Sequence, residues 1–331
     1  MQRIMALGRH GRLLAWAAGF AVALSLIQDA RAQTWPVKPV RMIVPFPPGA
    51  APDVVARLVA DRLSHAWGQS VYVENKPGAG GIPGMSTLAR SAADGYTVGF
   101  VPAAAAVLTP LLYKQPQYDV DRDIVPVAAV GTSPMMVVVP GTSAIRSVAD
   151  LAREGKARPG TLNFAAAQAG SVPHLTGEML ARAGGFQLFT VPYAGSPAAV
   201  NAVLAGEAAL TIDGIPALVQ HVKAGKMRAL AVTSPQRLPG LESVPTVAET
   251  LPGFESLGWF ALFAPTGTPG PVVERINADI NRLLDDKELV SRLADLGVYP
   301  MHGSAADLQA FVRGQQAVWK NTVQELAIQP Q

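Results

Sequence analysis

Residues 40–63 read VRMIVPFPPGAAPDVVARLVADRL and combine a strand pattern with a helix pattern. The run VRMIV at 40–44 is short and mostly apolar, as in a buried strand. Apolar residues recur at helical spacing from Val54 to Leu63, and a Pro/Gly-rich stretch separates the two patterns. We therefore predict a strand that ends at a turn and is followed by a helix beginning near Asp53.

The same alternation of short apolar runs, Gly/Pro turns and amphipathic stretches continues along the chain. The predicted strands are 40–45, 71–74, 96–101, 135–139, 161–165, 187–192, 208–212, 227–233 and 258–263. The predicted helices are 53–66, 83–91, 104–112, 147–155, 173–183, 196–205, 214–224, 271–284, 286–296 and 304–325. This βαβα order favours a parallel, doubly wound α/β architecture with strands buried on both faces.

The first 32 residues have the pattern of a secretory signal. Basic residues precede the apolar segment 13–27, and Ala-Arg-Ala follows at 30–32. We expect export by the general secretion route and cleavage after Ala32. A membrane anchor is the weaker alternative, because the apolar segment is shorter than the roughly 20 residues of a membrane span.

The charge and cysteine content exclude several classes of protein. The leader holds four of the 27 basic residues and one of the 24 acidic residues, so the remaining chain is balanced in formal charge. This balance argues against a nucleic-acid surface or a polybasic membrane patch. The chain has no cysteine, so it can form neither a disulfide nor the lipid-modified cysteine of a lipoprotein. We expect a freely soluble monomer in the periplasm that is stabilised by its core.

Two turn-rich stretches divide the chain. Val127–Pro134 and Phe254–Gly258 are places where the chain could cross between lobes. We predict a discontinuous first lobe from 33–134 and 258–331 and a second lobe from 135–257. Two lobes joined by two crossings form a hinge around a cleft, which is the usual geometry of an extracytoplasmic binding protein.

A second strand-to-helix junction, TLNFAAAQAGSVPHLTGEML at 161–180, resembles the first. Ser171 is a good N-cap, Pro173 fits the first helical turn and His174 falls within that turn. Helix N-termini present unpaired amides and partial positive charge, so a carboxylate or phosphate could bind at both junctions. Alternatively, both loops are plain βα connections. Neither matches a Walker or G-x-G-x-x-G motif, and NKPGAGGIPG at 75–84 is better interpreted as a tight connection.

Catalytic and metal-binding patterns are weak. Four histidines follow the leader, none in H-x-x-H or H-E-x-x-H spacing: His65, His174, His221 and His302. A triad of Ser171, His174 and Asp213 is conceivable, but no G-x-S-x-G elbow surrounds a serine. We therefore predict no enzyme activity, no metal and no cofactor.

Two further residues follow predicted strands and have two interpretations each. Asp213 could cap the next helix, or it could order a water or accept a hydrogen bond from a ligand. Tyr193 could pack against a ligand or cover a turn, with Ser196 as the cap of the following helix.

An ordered series of motifs resembles the Bug-type receptors of tripartite tricarboxylate transporters, over essentially the whole chain after the leader. The motifs are WPVKPVRMIVPFPPGAAPDVVAR (35–57), VENKPGAGGIPG (73–84), ADGYT (93–97), GSVPHLTGEML (170–180), VPYAGSPAAV (191–200), GKMRALAV (225–232), ESVPTVAE (242–249) and GWFALFAPTGTP (258–269). The resemblance implies an α/β fold of the two-lobed Venus-flytrap, type II-like class, each lobe a βα-wound mixed sheet.

The resemblance also implies a function. It indicates a cofactor-free periplasmic protein that captures a small carboxylate and delivers it to a two-component membrane permease. The family's ligand loops correspond to Phe46–Asp53 and Ala167–His174, where backbone amides, small hydroxyls and bridging waters hold the carboxylate. The predicted ligand-binding residues are Phe46, Pro48, Gly49, Ala50, Ala51, Asp53, Ala167, Gln168, Gly170, Ser171, His174, Tyr193 and Asp213.

Three departures from the family pattern make the predicted pocket more apolar. The first loop reads PGAAPD where relatives resemble PGGPTD, so a hydroxyl is lost at Ala51–Pro52. Residues 102–110 read PAAAAVLTP instead of a stretch rich in polar side chains, and Ile82–Pro83 stand where an Asn-Ile pair is common. We therefore expect a ligand with one well-held carboxylate and a partly apolar remainder. The alternatives are a ligand-presenting subunit of a sensor kinase and a hydrolase that uses Ser171 and His174.

Overall fold

The computed structural model describes residues 35–167, 171–326 and 328–330. The predicted signal peptide and the cleavage after Ala32 lie outside these residues. Gln168 and Gly170 of the predicted ligand loop also lie outside them.

The strands and helices follow the predicted alternation. The strands are β1 (Val40–Val44), β2 (Val71–Asn75), β3 (Thr97–Pro102), β4 (Ile124–Pro140), β5 (Leu162–Ala166), β6 (Leu188–Pro192), β7 (Leu210–Gly214), β8 (Met227–Val232), β9 (Leu257–Pro265) and β10 (Tyr299–Pro300). The α-helices are α1 (Ala51–Trp67), α2 (Ile82–Ala89), α3 (Thr109–Leu112), α4 (Val148–Ala157), α5 (Val172–Gly184), α6 (Ser196–Leu204), α7 (Ile215–Lys223), α8 (Gly270–Leu283), α9 (Lys287–Asp295) and α10 (Ala305–Glu325). The single helix predicted at 104–112 is instead a π-helical stretch, Ala104–Leu108, followed by α3.

The strands form one mixed sheet in the order β2-β1-β3-β9-β4-β7-β5-β6, with β8 and β10 also paired to β4. Strands β1, β2 and β3 are parallel to one another, as are β5, β6 and β7. Strand β9 runs antiparallel to β3 and β4, and β4 runs antiparallel to β7 and β8. The predicted mixed α/β class is confirmed, whereas the wholly parallel order that the alternation favoured is wrong at β4 and β9.

Strand β4 is longer than predicted because it includes residues that we interpreted as a turn. Its first part, Ile124–Pro134, pairs with β9, and its last part, Met135–Pro140, pairs with β7 and β8. The register shifts near Pro126 and Gly131, which is how a strand accommodates an extra residue. A Cβ on Gly131 would lie 2.5 Å from the carbonyl oxygen of Tyr299, so the close β10 backbone explains this glycine.

Helices cover both faces of each half of the sheet. In the first half (β1, β2, β3 and β9), α1, α8 and α9 share one apolar cluster, while α2 and α10 share another. In the second half (β5, β6, β7 and β8), α4 and α5 cover one face, and α6 and α7 cover the other. Burial on both faces explains why the strands read as short apolar runs.

Candidate functional site

The loop between β1 and α1 is held in place by the carboxylate of Asp53, which is only 3% exposed. Oδ2 accepts from the Gly49 amide at 2.8 Å and from the Arg57 Nε at 3.1 Å. Oδ1 accepts from the Asn75 amide at 2.9 Å and contacts the Arg57 guanidinium at 2.9 Å. The Asn75 amide also donates to the carbonyl oxygen of Phe46 at 3.0 Å. Both ends of the loop are therefore fixed to β2 and to α1.

These contacts keep Asp53 ionised. Burial alone would raise the pKa of its carboxyl group, but the hydrogen bonds from Arg57, the Gly49 amide and Asn75 outweigh burial and hold the pKa below its ordinary value. Each carboxylate oxygen already has two donors or cations. In the structure, Asp53 therefore acts as the support of the loop.

The first turn of α1 has no side-chain cap. The N-cap residue, Ala50, has extended backbone angles (φ −69°, ψ 156°), and Pro52 lies in the first turn. The amides of Asp53 and Val54 both donate to the carbonyl oxygen of Ala50, whereas the Ala51 amide donates to none of the described residues. Pro48, Gly49 and Ala51 are exposed. This helix N-terminus thus offers partial positive charge and an available donor to an anion.

The second junction begins α5 as the sequence predicted. Ser171 is the N-cap, and its side chain accepts from the His174 amide at 3.3 Å. Pro173 lies in the first turn. Ala167, the last described residue before the junction, is buried against the apolar cluster under α6 and α7. The N-cap residue Ser171 has extended backbone angles (φ −76°, ψ 162°) like those of Ala50, with a hydroxyl where Ala50 has only a methyl group.

His174 is predominantly neutral near pH 7. Its side chain is 20% exposed, and its Nε2 lies 3.8 Å from Oε1 of Glu178. Burial lowers the pKa of the imidazole, and the Glu178 carboxylate offsets that effect only in part. The neutral imidazole of His174 can donate or accept a hydrogen bond, but it brings no positive charge to the site.

The register of the parallel strands brings three predicted residues to one edge of the sheet. Ala166 pairs with Pro192 and Ala165 pairs with Thr211. Ala167 and Tyr193 directly follow β5 and β6, and Asp213 lies near the end of β7 at the same level. The Tyr193 amide donates to the carbonyl oxygen of Ala166 at 2.8 Å, and its ring packs on the cluster under α6 and α7. Ligands of open α/β sheets bind at this carboxyl edge.

Asp213 has a buried oxygen without a hydrogen-bond partner among the described residues. The residue is 6% exposed, Oδ1 accepts from the Gly214 amide at 2.7 Å, and Oδ2 is the unpaired atom. Burial raises the pKa of the carboxyl group, while Ser196 and the Gly214 amide oppose the rise. The helix-cap interpretation of Asp213 is wrong, because the N-cap of α7 is Gly214 and no side chain caps it.

Ser196 and Asn75 also differ from expectation. The N-cap of α6 is Gly195 and no side chain caps it, so the prediction that Ser196 caps this helix is wrong. Asn75 was missed altogether, since in the sequence it only begins a glycine-rich stretch. Its contacts to Phe46 and Asp53 span 29 and 22 residues, and no local pattern encodes them.

The predicted site residues thus form two groups at the carboxyl ends of parallel strands. Phe46, Pro48, Gly49, Ala50, Ala51 and Asp53 lie in the first half of the molecule, and Ala167, Ser171, His174, Tyr193 and Asp213 lie in the second. Across the described ranges, no group of three or more histidine, aspartate or glutamate side chains is arranged to hold a metal ion. In those same ranges, no helix has the length and apolar character of a membrane span.

Comparisons with known proteins give this geometry a context. The family model of the tripartite tricarboxylate transporter family receptor matches residues 55–328. The chain is 37% identical to the protein BugT of Bordetella pertussis over 316 residues, which is 95% of this chain and 97% of that protein.

Solved structures of related proteins have a similar fold. An adipate-bound protein of R. palustris is 34% identical with a TM-score of 0.77, and the match covers 90% of this chain and 100% of that chain. MatC from Rhodopseudomonas palustris with bound malate is 30% identical with a TM-score of 0.71, over 87% of this chain and 100% of that chain. The two-lobed periplasmic binding-protein fold predicted from the sequence is confirmed by these similarities. This chain belongs to the tripartite tricarboxylate transporter family receptors, the Bug-type solute-binding proteins.

Proposed function

We propose that this protein binds a small carboxylate in the periplasm, after cleavage behind Ala32, and delivers it to a two-component membrane permease. We also propose lobes of 33–134 with 258–331, and of 135–257. The change of strand partners along β4, between Pro134 and Met135, supports that division. A ligand that contacts both lobes stabilises the closed state by the contacts that it makes only there.

The uncapped N-terminus of α1 is the observation that carries this proposal. The Ala51 amide donates to none of the described residues, and the loop before it is already fixed by Asp53. An anion that binds there gains a charge-assisted hydrogen bond and the favourable end of the helix dipole. Little ordering of the loop is needed on binding, because its conformation is held by side chains outside the contact.

Asp213 is the proposed contact in the second lobe. Its unpaired Oδ2 is buried at the strand edge that also carries Tyr193 and Ala167. A buried acceptor without a donor costs free energy, and a ligand hydroxyl, a ligand N–H or a bridging water would remove that cost. On closure, the donor on the ligand or water would meet Oδ2 of Asp213, which has no other hydrogen-bond partner among the described residues.

The proposed ligand has one firmly held carboxylate and a partly apolar remainder. The exposed first loop contributes proline, glycine and alanine, and the exposed Val54 follows in the first turns of α1. The stretch after β3 is also rich in alanine rather than in polar residues, and Ala103, Ala105 and Ala106 are packed in the core. The relatives with bound adipate and malate support a carboxylate ligand. This composition favours a chain with methylene or ring carbons over a tricarboxylate.

Removing the Ala51 amide tests the proposal directly. Ala51→Pro deletes this donor, and proline fits both the first helical position and the extended backbone of Ala50 before it. Ala51→Ser is the matched control, because it keeps the amide. We expect Ala51→Pro to weaken binding of the strongest ligand from a titration panel of adipate, malate, hexanoate and benzoate by roughly 10- to 100-fold, from the loss of one hydrogen bond to a charged group.

The ligand-free melting temperature of the proline variant should stay within about 2 °C of the control. Equal affinity of the proline and serine variants would overturn the proposed contact, and no binding of any carboxylate would overturn the proposed function.

We also propose that the protein is not a hydrolase. The Ser171 hydroxyl accepts from the His174 amide as the cap of α5, which is a structural task for that oxygen. Incubation with the esters of the same carboxylates should give no product by chromatography, and turnover that disappears in Ser171→Ala would contradict this.

A further inference from the structure

A groove of about 590 Å³ lies between α5, the turn at 252–255 and α10. It is separate from the proposed carboxylate site. Ser171 caps the site end of α5, whereas Met179 and Arg182 line the groove. Arg182 is eight residues beyond His174, which places it about 12 Å further along the helix. The volume is within the range of pockets that hold small organic molecules, roughly 300–1,000 Å³.

The walls of the groove are largely apolar and firmly packed. The larger apolar side chains in the lining are those of Met179, Phe254, Phe311 and Val318. Phe254 is buried in the core of the second half, and Phe311 packs edge-on against the buried Trp259 with ring centroids 5.8 Å apart. On α10, Val318 is 42% exposed, while the next residue, Trp319, is buried. An occupant would cover this apolar surface without rearranging the core.

Gln315 is a mostly buried polar residue in the lining of the groove. It is 8% exposed and lines the groove, yet its side-chain amide forms no hydrogen bond with any described residue. The Gln315 amide is not among the fully buried unpaired groups of the described residues, so it reaches the surface of the groove and is open to an occupant. A ligand with a hydrogen-bond donor would pair with the carbonyl oxygen of Gln315.

The charged residues that line the groove leave one carboxylate, that of Glu255, without a cationic partner in the described part of the chain. Glu255 is half-buried and forms no ion pair or hydrogen bond with any described residue, and burial raises the pKa of its carboxyl group. The guanidinium of Arg182 is the cation in the lining, and it pairs with Glu325 at 3.1 Å. A cationic ligand is therefore the complement of this lining, and an anion is not.

We propose that this groove binds a small amine, with the ammonium group against Glu255 and Gln315 and an alkyl or aryl body over Phe254 and Phe311. The chemistry combines a carboxylate and an amide oxygen, which accept the N–H bonds, with aromatic faces, which attract a cation. Such a site differs from the proposed carboxylate site in the sign of the charge that it selects.

Titration calorimetry with hexylamine, phenethylamine, hexanol and hexanoate tests the proposal. We expect both amines to bind with one-to-one stoichiometry and hexanol to bind at least tenfold more weakly. Glu255→Gln and Gln315→Leu should each weaken the amines by at least tenfold, whereas Gln324→Leu, on an exposed position of the same helix, should change nothing. Circular dichroism melts of each variant show that the fold is kept.

The Ala51→Pro variant separates this proposal from the carboxylate function. Amine affinity should be unchanged in Ala51→Pro, and hexanoate affinity should be unchanged in Glu255→Gln and Gln315→Leu. Three results would each overturn the groove site. The first is that the amines fail to saturate at 10 mM, which corresponds to about 2.7 kcal/mol of binding free energy. The others are that neither groove variant changes the amine affinity, or that Ala51→Pro loses amine binding. The carboxylate function is judged separately, by hexanoate binding to the wild type and to Ala51→Pro.

Discussion

Replacing Asp53 with asparagine should weaken both the fold and ligand binding. The change keeps the shape of the side chain and leaves one oxygen for the Asn75 amide. The new amide group cannot accept the hydrogen bonds that Gly49 and Arg57 now donate to Oδ2, at 2.8 and 3.1 Å. The loop that precedes α1 thereby loses its support.

The expected loss follows from these contacts. A hydrogen bond to a charged group contributes about 1.5–3 kcal/mol, so the Gly49 bond dominates. The Arg57 side chain is 52% exposed, which limits its ion pair to about 0.2–1 kcal/mol. We expect a fall of about 2–4 kcal/mol in the free energy of unfolding. Ordering one or two released loop residues costs about 1–2 kcal/mol each, so carboxylate affinity should fall by about tenfold or more.

Asp279→Asn is the matched control. Asp279 is also buried, and it accepts from Trp67 at 2.8 Å, Arg275 at 2.6 Å and Arg282 at 2.8 Å. Trp67 is at the far end of α1 from Ala51, about 24 Å along the helix axis. Urea denaturation should show a loss of stability in both variants, and calorimetry with adipate or malate should show weaker binding in Asp53→Asn alone. Equal affinity of the two variants would refute the supporting role of Asp53.

Three more predictions concern stability. Burial raises the pKa of the Asp213 carboxyl in the folded state. The contribution of this group to the free energy of unfolding is therefore complete below its unfolded pKa near 3.8, and it is lost as pH rises through its folded pKa. Asp213→Asn should therefore be more stable than the wild type at pH 7, and urea melts should show this difference shrinking toward pH 4. Gly84→Ala should destabilise by about 1–3 kcal/mol, since its Cβ would lie 2.6 Å from Cα of Pro45; an unchanged urea midpoint would contradict this. Gly314→Ala should stabilise by about 0.5–1 kcal/mol, because it is helical with open space around it, and a lower melting temperature would contradict this.

Local sequence determined much of the fold. Apolar spacing placed β1 and α1 within two residues of their observed bounds, and Ser171 with Pro173 marked the start of α5. These features depend on neighbours three or four residues away, which is why a pattern along the chain reveals them. The two predicted loops could be selected on the same grounds, since each is a strand end followed by a helix start.

The roles of individual site residues depended on contacts that the local pattern does not contain. Asp53 accepts a hydrogen bond from Asn75 on β2, and Oδ2 of Asp213 is buried without a hydrogen-bond partner among the described residues. A carboxylate after a strand has the same local pattern whether it supports a loop or faces a ligand. Burial and donor count separate the two cases, and both are properties of the packed molecule.

The sequence by itself determined the class of fold, the positions of most helices and strands and the two corners where an acid could bind. Only the tertiary structure decided that Gly131 and Pro134 lie inside one long strand, that Asp53 is a support, and that Gln315 and Glu255 line the same groove. The physical reason is how far apart in the sequence the interacting residues lie. Capping and periodicity act within one or two turns, whereas strand pairing, burial and unpaired polar groups arise between residues that are far apart in the chain.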